Sequence, residues 1–245
     1  GIFVDGDGSF NWFHFVLECL PKAYAAEMLP EEFSDYPLIV PPTCKGSNTF
    51  REALELFRGK RQVVFLEKGQ RTRIQSLVNI DDVSSSPFNM FSGQWPVLED
   101  YSQHDVFLRD FFNAFRSRVP KPGDRNRQDT RKVFLVRSGH RRQYNQGELV
   151  EISRKYGFTT VSPETMSLKD QAKTFSEAEF VIGASGAAWT NLLFMSPSVK
   201  GLTWLPPQYA EFCSYSTLAN LLGQELLFVS AQPRTPLDST AAAYS

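Results

Sequence analysis

An α/β fold whose C-terminal half is a parallel, doubly wound sheet is predicted by three observations. Beyond residue 130, short apolar runs alternate with helical segments at lengths that suit βαβ units. A polar Pro/Gly stretch, residues 120–129, separates this half from an earlier mixture of strands and helices. Residues 180–195, F-V-I-G-A-S-G-A-A-W-T-N-L-L-F-M, read as a buried strand, a small-residue turn and an apolar helix. Together these divide the chain into a first lobe at residues 1–125, a second at 126–231, and a polar, disordered tail at 232–245.

Composition sets the frame for function. The chain has 245 residues, 42% hydrophobic and 22% charged, with a formal net charge of -1, so whole-molecule attraction to nucleic acid is not expected. Its three cysteines, Cys19, Cys44 and Cys213, are far apart and odd in number, which argues against a disulfide framework and a structural zinc site and for a reducing compartment. No apolar run reaches the ~18 residues of a membrane span, and the opening lacks the pattern of a signal peptide. The chain opens without methionine, so a trimmed start with sequence missing upstream is expected.

In chain order, Ile2-Phe3-Val4 is a strand followed by Asp5-Gly6-Asp7-Gly8-Ser9. Such a D-x-D pair suits a haloacid-dehalogenase-type phosphatase, a metal-using glycosyltransferase, or simply a Gly/Asp turn capping the next helix. The phosphatase would need a later lysine and a second acidic pair after an apolar strand, and the turn at 180–186 carries no acid.

Residues Phe10 to Leu20 are apolar nearly all round, predicting a buried helix stopped by Pro21. Its exceptions, Asn11, His14 and Glu18, fall on one face at spacings of three and four. A buried helix tolerates such a stripe only where it is hydrogen-bonded or lines a wet pocket. Two ligands at this spacing could begin a metal site, but no third stands out.

Residues 37–42 and 62–67 read as strands, 50–57 as a helix, 84–96 as a loop facing an acceptor, and 103–119 as a helix with apolar positions Val106, Phe107, Phe111, Phe112 and Phe115. Past the linker, strands are predicted at 132–136, 159–161, 180–182, 201–205 and 226–229, with helices near 147–156, 167–177, 187–195 and 214–223. Ligands of such sheets sit at the carboxyl ends of the strands. Arg137 ends the first of these strands and Gly183–Gly186 the third. The first carries no G-x-G-x-x-G, which excludes a standard dinucleotide-binding dehydrogenase.

Charge clusters here. Between Arg116 and Arg142 stand ten Lys or Arg against two acids, Asp124 and Asp129. The part before residue 132 reads as a solvated basic linker, whereas Arg137 and His140-Arg141-Arg142 follow the strand directly and suit phosphate oxygens.

Three segments, N-W-F-H-F-V-L-E-C-L-P-K (11–22), V-R-S-G-H-R-R-Q-Y-N-Q-G-E-L (136–149) and V-I-G-A-S-G-A-A-W-T-N-L-L-F-M (181–195), resemble in order and spacing the signature segments of glycosyltransferase family 61. Ser185 stands where the family usually has His, Ala187-Ala188-Trp189 replaces Ala-Gly-Leu, and Gln146 replaces Glu. The resemblance implies a GT-B-like fold of two Rossmann-like lobes with the active site in the cleft between them, and inverting, metal-independent transfer from a nucleotide-sugar to a glycan or lipid-linked acceptor. It assigns Glu18 and His14 to catalysis, and Asn11, Arg137, Arg142, Asn145, Ser185, Gly186, Thr190 and Asn191 to substrate binding. Bacterial relatives of this type build capsule or lipopolysaccharide at the cytoplasmic membrane face, which implies a cytoplasmic, peripherally membrane-associated enzyme without further cofactors. The departures point to an altered donor sugar, or to a degenerate nucleotide-sugar-binding protein.

Overall fold

The computed structural model describes residues 1–67, 69–87, 95–120, 131–138 and 144–232. The chain forms two compact units, Gly1–Ser86 with Ser102–Val119, and Pro87–Tyr101 with Pro120–Ser245. Residues 87–101, counted with the first lobe in the linear reading, group with the second unit. The lobe boundary expected at residue 125 and nearly all of the expected tail lie outside the described residues. No described helix is long and apolar enough to cross a membrane.

The first unit holds a four-stranded sheet in the order β3-β2-β1-β4, with β1 at Ile2–Phe3, β2 at Leu38–Val40, β3 at Val63–Phe65 and β4 at Val78–Asn79. Every pairing is parallel; Ile2, for example, sits between Leu38 and Val78. Parallel strands need crossovers, and the helices that follow β1 and β2 supply them. The first three strands step outward in one direction and β4 then joins β1 from the other side, so strand order reverses between β1 and β4. A short antiparallel ribbon, β5 at Ser84–Ser85 with β6 at Ser102–Gln103, leads into the helix Asp105–Arg118. That helix buries Leu108, Phe111, Phe112 and Phe115 along one stripe; of the expected apolar positions Phe111, Phe112 and Phe115 are in the core, whereas Val106 is 71% exposed and Leu108 is buried in the first turns instead. The sequence reading missed β4, β5 and β6, which are only two residues long.

The first helix departs from expectation at its end. It does not stop at Pro21: α-helical Trp12–His14 passes into a π-helical turn, Phe15–Cys19, and resumes as α-helix through Leu20–Ala25. Proline is barred from a helix interior because it lacks an N–H and its ring meets the carbonyl four residues back. Here the wider turn takes its bond five residues apart, from the Leu20 N–H to the Phe15 carbonyl, and Pro21 opens the next α-helical turn without a displaced bond.

The second unit is a five-stranded parallel sheet ordered β11-β10-β9-β7-β8, with β7 at Lys132–Leu135, β8 at Thr159–Val161, β9 at Phe180–Ala184, β10 at Lys200–Leu205 and β11 at Glu225–Ser230. The alternation read from the sequence is present, each strand within two residues of its predicted start. In this order β8 lies on one side of β7 and β9 to β11 on the other, so the switch falls between β7 and β9. The helix expected near 187–195 is present and is a 3-10 helix, Ala187–Phe194. Its first bond runs from the Trp189 N–H to the Gly186 carbonyl at 3.0 Å, and the Trp189 indole N–H reaches back 3.2 Å to the Ala184 carbonyl. That anchor holds the first turn tight.

At the switch, Leu135 of β7 lies opposite Gly183 of β9. A Cβ at residue 183 would stand 2.6 Å from the Leu135 Cβ, an atom that cannot rotate away. Gly183→Ala is therefore expected to lower stability by about 1–3 kcal/mol through overpacking, read as a fall in the urea unfolding midpoint with secondary structure retained.

Candidate active site

Each unit gathers polar side chains at its own strand-order reversal. In the second unit, Arg137 leaves the end of β7 and Ser185-Gly186 leaves the end of the neighbouring β9. The Arg137 guanidinium donates to the Ser185 carbonyl. Gly186 makes room for it, since a Cβ there would lie 2.8 Å from Arg137 Nη2. The Ser185 N–H is taken by the Trp204 carbonyl at 3.0 Å, so helix-end donors begin only at Gly186. A 3-10 helix leaves its opening N–H groups without partners in the helix, here at Gly186, Ala187 and Ala188. A guanidinium beside such a helix start is an arrangement that attracts a phosphate group.

Arg137 is held from behind by a residue that the sequence reading noted only as a departure. The Arg137 N–H donates to Gln146 Oε1 at 2.8 Å, and Gln146 Nε2 donates back to the Arg137 carbonyl at 3.1 Å. The Tyr144 hydroxyl adds a bond to the same Oε1 at 2.8 Å, and its ring meets Trp204 edge-on at 5.6 Å. Burial pushes the Tyr144 phenol up from its ordinary value, with Arg137 opposing. Next along the chain, the Ser138 N–H and hydroxyl both donate to Glu164 Oε1 at 2.8 Å. Burial alone would raise the Glu164 carboxyl, but these and neighbouring hydrogen bonds outweigh it and hold the group below its usual range.

In the first unit, His14 and Glu18 are buried on the first helix, at 4% and 7% exposure. His14 Nδ1 lies 3.0 Å from each Glu18 oxygen, and the Ser86 N–H donates to Glu18 Oε1 at 3.0 Å. Burial raises the Glu18 carboxyl above its ordinary value; the bonds from His14 and Ser86 counter it, and Asp82 adds to the rise. Lys22, also buried, was missed in the sequence because Pro21 was read as the helix stop, although it continues the spacing of four from His14 through Glu18. Its ammonium lies 2.6 Å from Asp82 Oδ1 and 3.0 Å from the Asp5 carbonyl. Asp5 and Asp82 follow β1 and β4, the two strands at this unit's switch.

The remaining expected residues fall as follows. Asn11 caps the first helix, accepting from the Phe13 N–H at 2.9 Å. Asn145 is exposed and donates to Glu148 Oε2 at 2.7 Å. Thr190 and Asn191 are fully buried in the 3-10 helix, and Asn191 Nδ2 donates to the Ala188 carbonyl at 3.1 Å. Arg142, with His140 and Arg141, lies outside the described residues. Among the described residues, no group of three or more His, Cys, Asp or Glu is placed to hold a metal ion.

The two-way bond at Arg137 depends on an amide, because a carboxylate can accept the N–H but cannot donate to the carbonyl. Gln146→Glu should cost about 1–2 kcal/mol near neutral pH. The deficit relative to wild type should shrink at acid pH, where a protonated Glu regains a donor. Paired urea titrations at the two pH values check this, and an unchanged gap would show that the amide donor contributes nothing.

The family model described as Glycosyltransferase 61 matches residues 12–202, a span that contains His14, Glu18, Arg137 and the turn at 185–186. No curated protein matches the chain. The match covers more than half of the sequence, and the chain belongs to glycosyltransferase family 61.

Proposed function

We propose that this glycosyltransferase works with inversion, moving a hexose or pentose from a nucleotide-sugar to a hydroxyl of a glycan or lipid-linked acceptor. The observation that carries this reading is the buried His14–Glu18 pair. In a single displacement the acceptor oxygen forms a bond to the anomeric carbon as the bond to the diphosphate breaks. The acceptor proton goes to a base and the electron pair leaves with the nucleoside diphosphate. A carboxyl raised by burial is a better proton acceptor than an exposed one, and Glu18 answers that need, with His14 holding it in orientation. Arg137 and the N–H groups from Gly186 onward suit the departing diphosphate, so the leaving charge is met by the protein's own donors.

The parallel sheet of each unit, with its own switch point, supports a GT-B-like pair of lobes. Polysaccharide assembly of the capsule or lipopolysaccharide kind, on the inner face of a bacterial cytoplasmic membrane, is the biological setting we infer from the resemblance. Peripheral membrane attachment belongs to that setting.

A second reading has one observation behind it. The acidic pair that the phosphatase reading required exists at Asp81-Asp82, after β4, which pairs with the strand that Asp5 follows. Against it, the Asp5 carboxylate accepts from its neighbour's N–H at 2.8 Å and Lys22 occupies Asp82, so these acids are already partnered within the protein.

Two experiments test the proposal. With a panel of nucleotide-sugars, Glu18→Gln should keep donor affinity while lowering turnover about a hundredfold or more. His14→Ala should lose less. Wild-type turnover should rise with pH through the Glu18 titration, above the ordinary glutamate range, because the base acts only when deprotonated. Near-normal turnover of Glu18→Gln beside an inert His14→Ala would reverse the assignment, and donor binding without any transfer by wild type would leave a nucleotide-sugar-binding protein. Separately, turnover should survive EDTA; its complete loss, restored by Mg²⁺ or Mn²⁺, would return the role to Asp5 and Asp7.

A further inference from the structure

We infer that Lys22 is a positioning residue for Glu18, fixing the segment 82–86 across the first helix and neutralising Asp82 beside the Glu18 carboxylate. The inference rests on the reading of Glu18 as the base. Its geometry is a strap tied at two points: Lys22 holds Asp82 at 2.6 Å, and four residues further along this segment the Ser86 N–H bonds Glu18 Oε1 at 3.0 Å. The two ties meet the helix one turn apart, at residues 22 and 18. Between them Ser84–Ser85 is paired with Ser102–Gln103, which keeps the strap extended. The same ammonium also holds the end of β1 through the Asp5 carbonyl.

A buried ammonium is costly unless paired, and the Asp82 side chain is 60% exposed, so hydration alone could have satisfied that carboxylate. A merely structural tie would need no charge at this place. What the ammonium adds is compensation of a carboxylate whose charge acts on Glu18 and disfavours its ionised form. The other titratable groups here are His14 and Cys19 on the same helix, Asp5 after β1, and Cys44 on the short helix Thr43–Gly46, which acts on Cys19. On the helix Asp105–Arg118, Arg118 is committed to Glu27. Of the two basic side chains, Lys22 is the one paired with Asp82.

The two partners of one ion pair therefore make opposite forecasts. Lys22→Met leaves Asp82 uncompensated and should make Glu18 harder to ionise; Asp82→Asn should make it easier; Lys22→Arg should stay close to wild type. The full chain labelled with ¹³C-carboxyl glutamate reads the titration directly by NMR, the Glu18 resonance being assigned by its loss in Glu18→Gln. On the acid side of the pH profile, turnover relative to each variant's own plateau should fall about three- to tenfold in Lys22→Met and rise by a similar factor in Asp82→Asn. Should Lys22→Met fail to fold, the exposed Asp82 site decides alone, and a Glu18 titration that stays put or moves upward in Asp82→Asn overturns the inference. Displacement of both variants in the same direction also overturns it, leaving the pair as a strut. A resonance that moves in opposite directions while turnover ignores it upholds the role of Lys22 and removes Glu18 as the base. Turnover that needs Glu18 but a resonance indifferent to both variants does the reverse.

Discussion

Parallel pairing dictates where chemistry can stand in this protein. Strands that run the same way present their carboxyl ends along one edge of the sheet, and a reversal in strand order opens a gap there that no crossover helix covers. The first unit reverses between β1 and β4 and the second between β7 and β9. Asp5, Asp82 and, through Lys22, the Glu18 cluster gather at one gap; Arg137 and the turn at Ser185-Gly186 gather at the other. Two unrelated stretches of sequence thus gather polar side chains by the same topological device.

The two clusters are built on opposite electrostatic principles. At the second-unit gap, positive charge and N–H groups that have no partner within their helix are collected, while hydrogen bonds favour the ionised form of the Glu164 carboxyl and turn it to structural work on Ser138. At the first-unit gap, burial presses against ionisation of Glu18 and the surrounding bonds only partly relieve that pressure. One arrangement favours holding an anion, the other favours accepting a proton.

Much of this was legible from residue order because periodicity reports burial. The βαβ alternation after residue 130 needed only apolar runs and spacing, and the stripe of His14 and Glu18 needed only helical geometry. Arg137 and Ser185 could be placed at strand ends, although their mutual contact could not, since which strands are neighbours is a property of the sheet. The misses have physical causes. Two-residue strands such as β4 carry no period to detect, so nothing in the sequence marks Asp81 and Asp82 as acids at a strand end. Lys22 was hidden behind a proline that a π turn renders harmless. Gln146 read as a side-chain substitution, whereas its work is done on backbone atoms of Arg137.

That π turn also sets an angular phase. An α-helix advances about 100° per residue, and a π turn amounts to one residue inserted into such a helix. Everything from Leu20 onward is rotated by that increment relative to Trp12–His14. Loss of a single residue between Phe15 and Cys19 would restore the ordinary winding and leave the Lys22 ammonium on its present face of the helix, but it would return Pro21 to a position where its ring and missing N–H break the helix. The length of this segment, more than the chemical character of its apolar residues, is what the local arrangement cannot surrender.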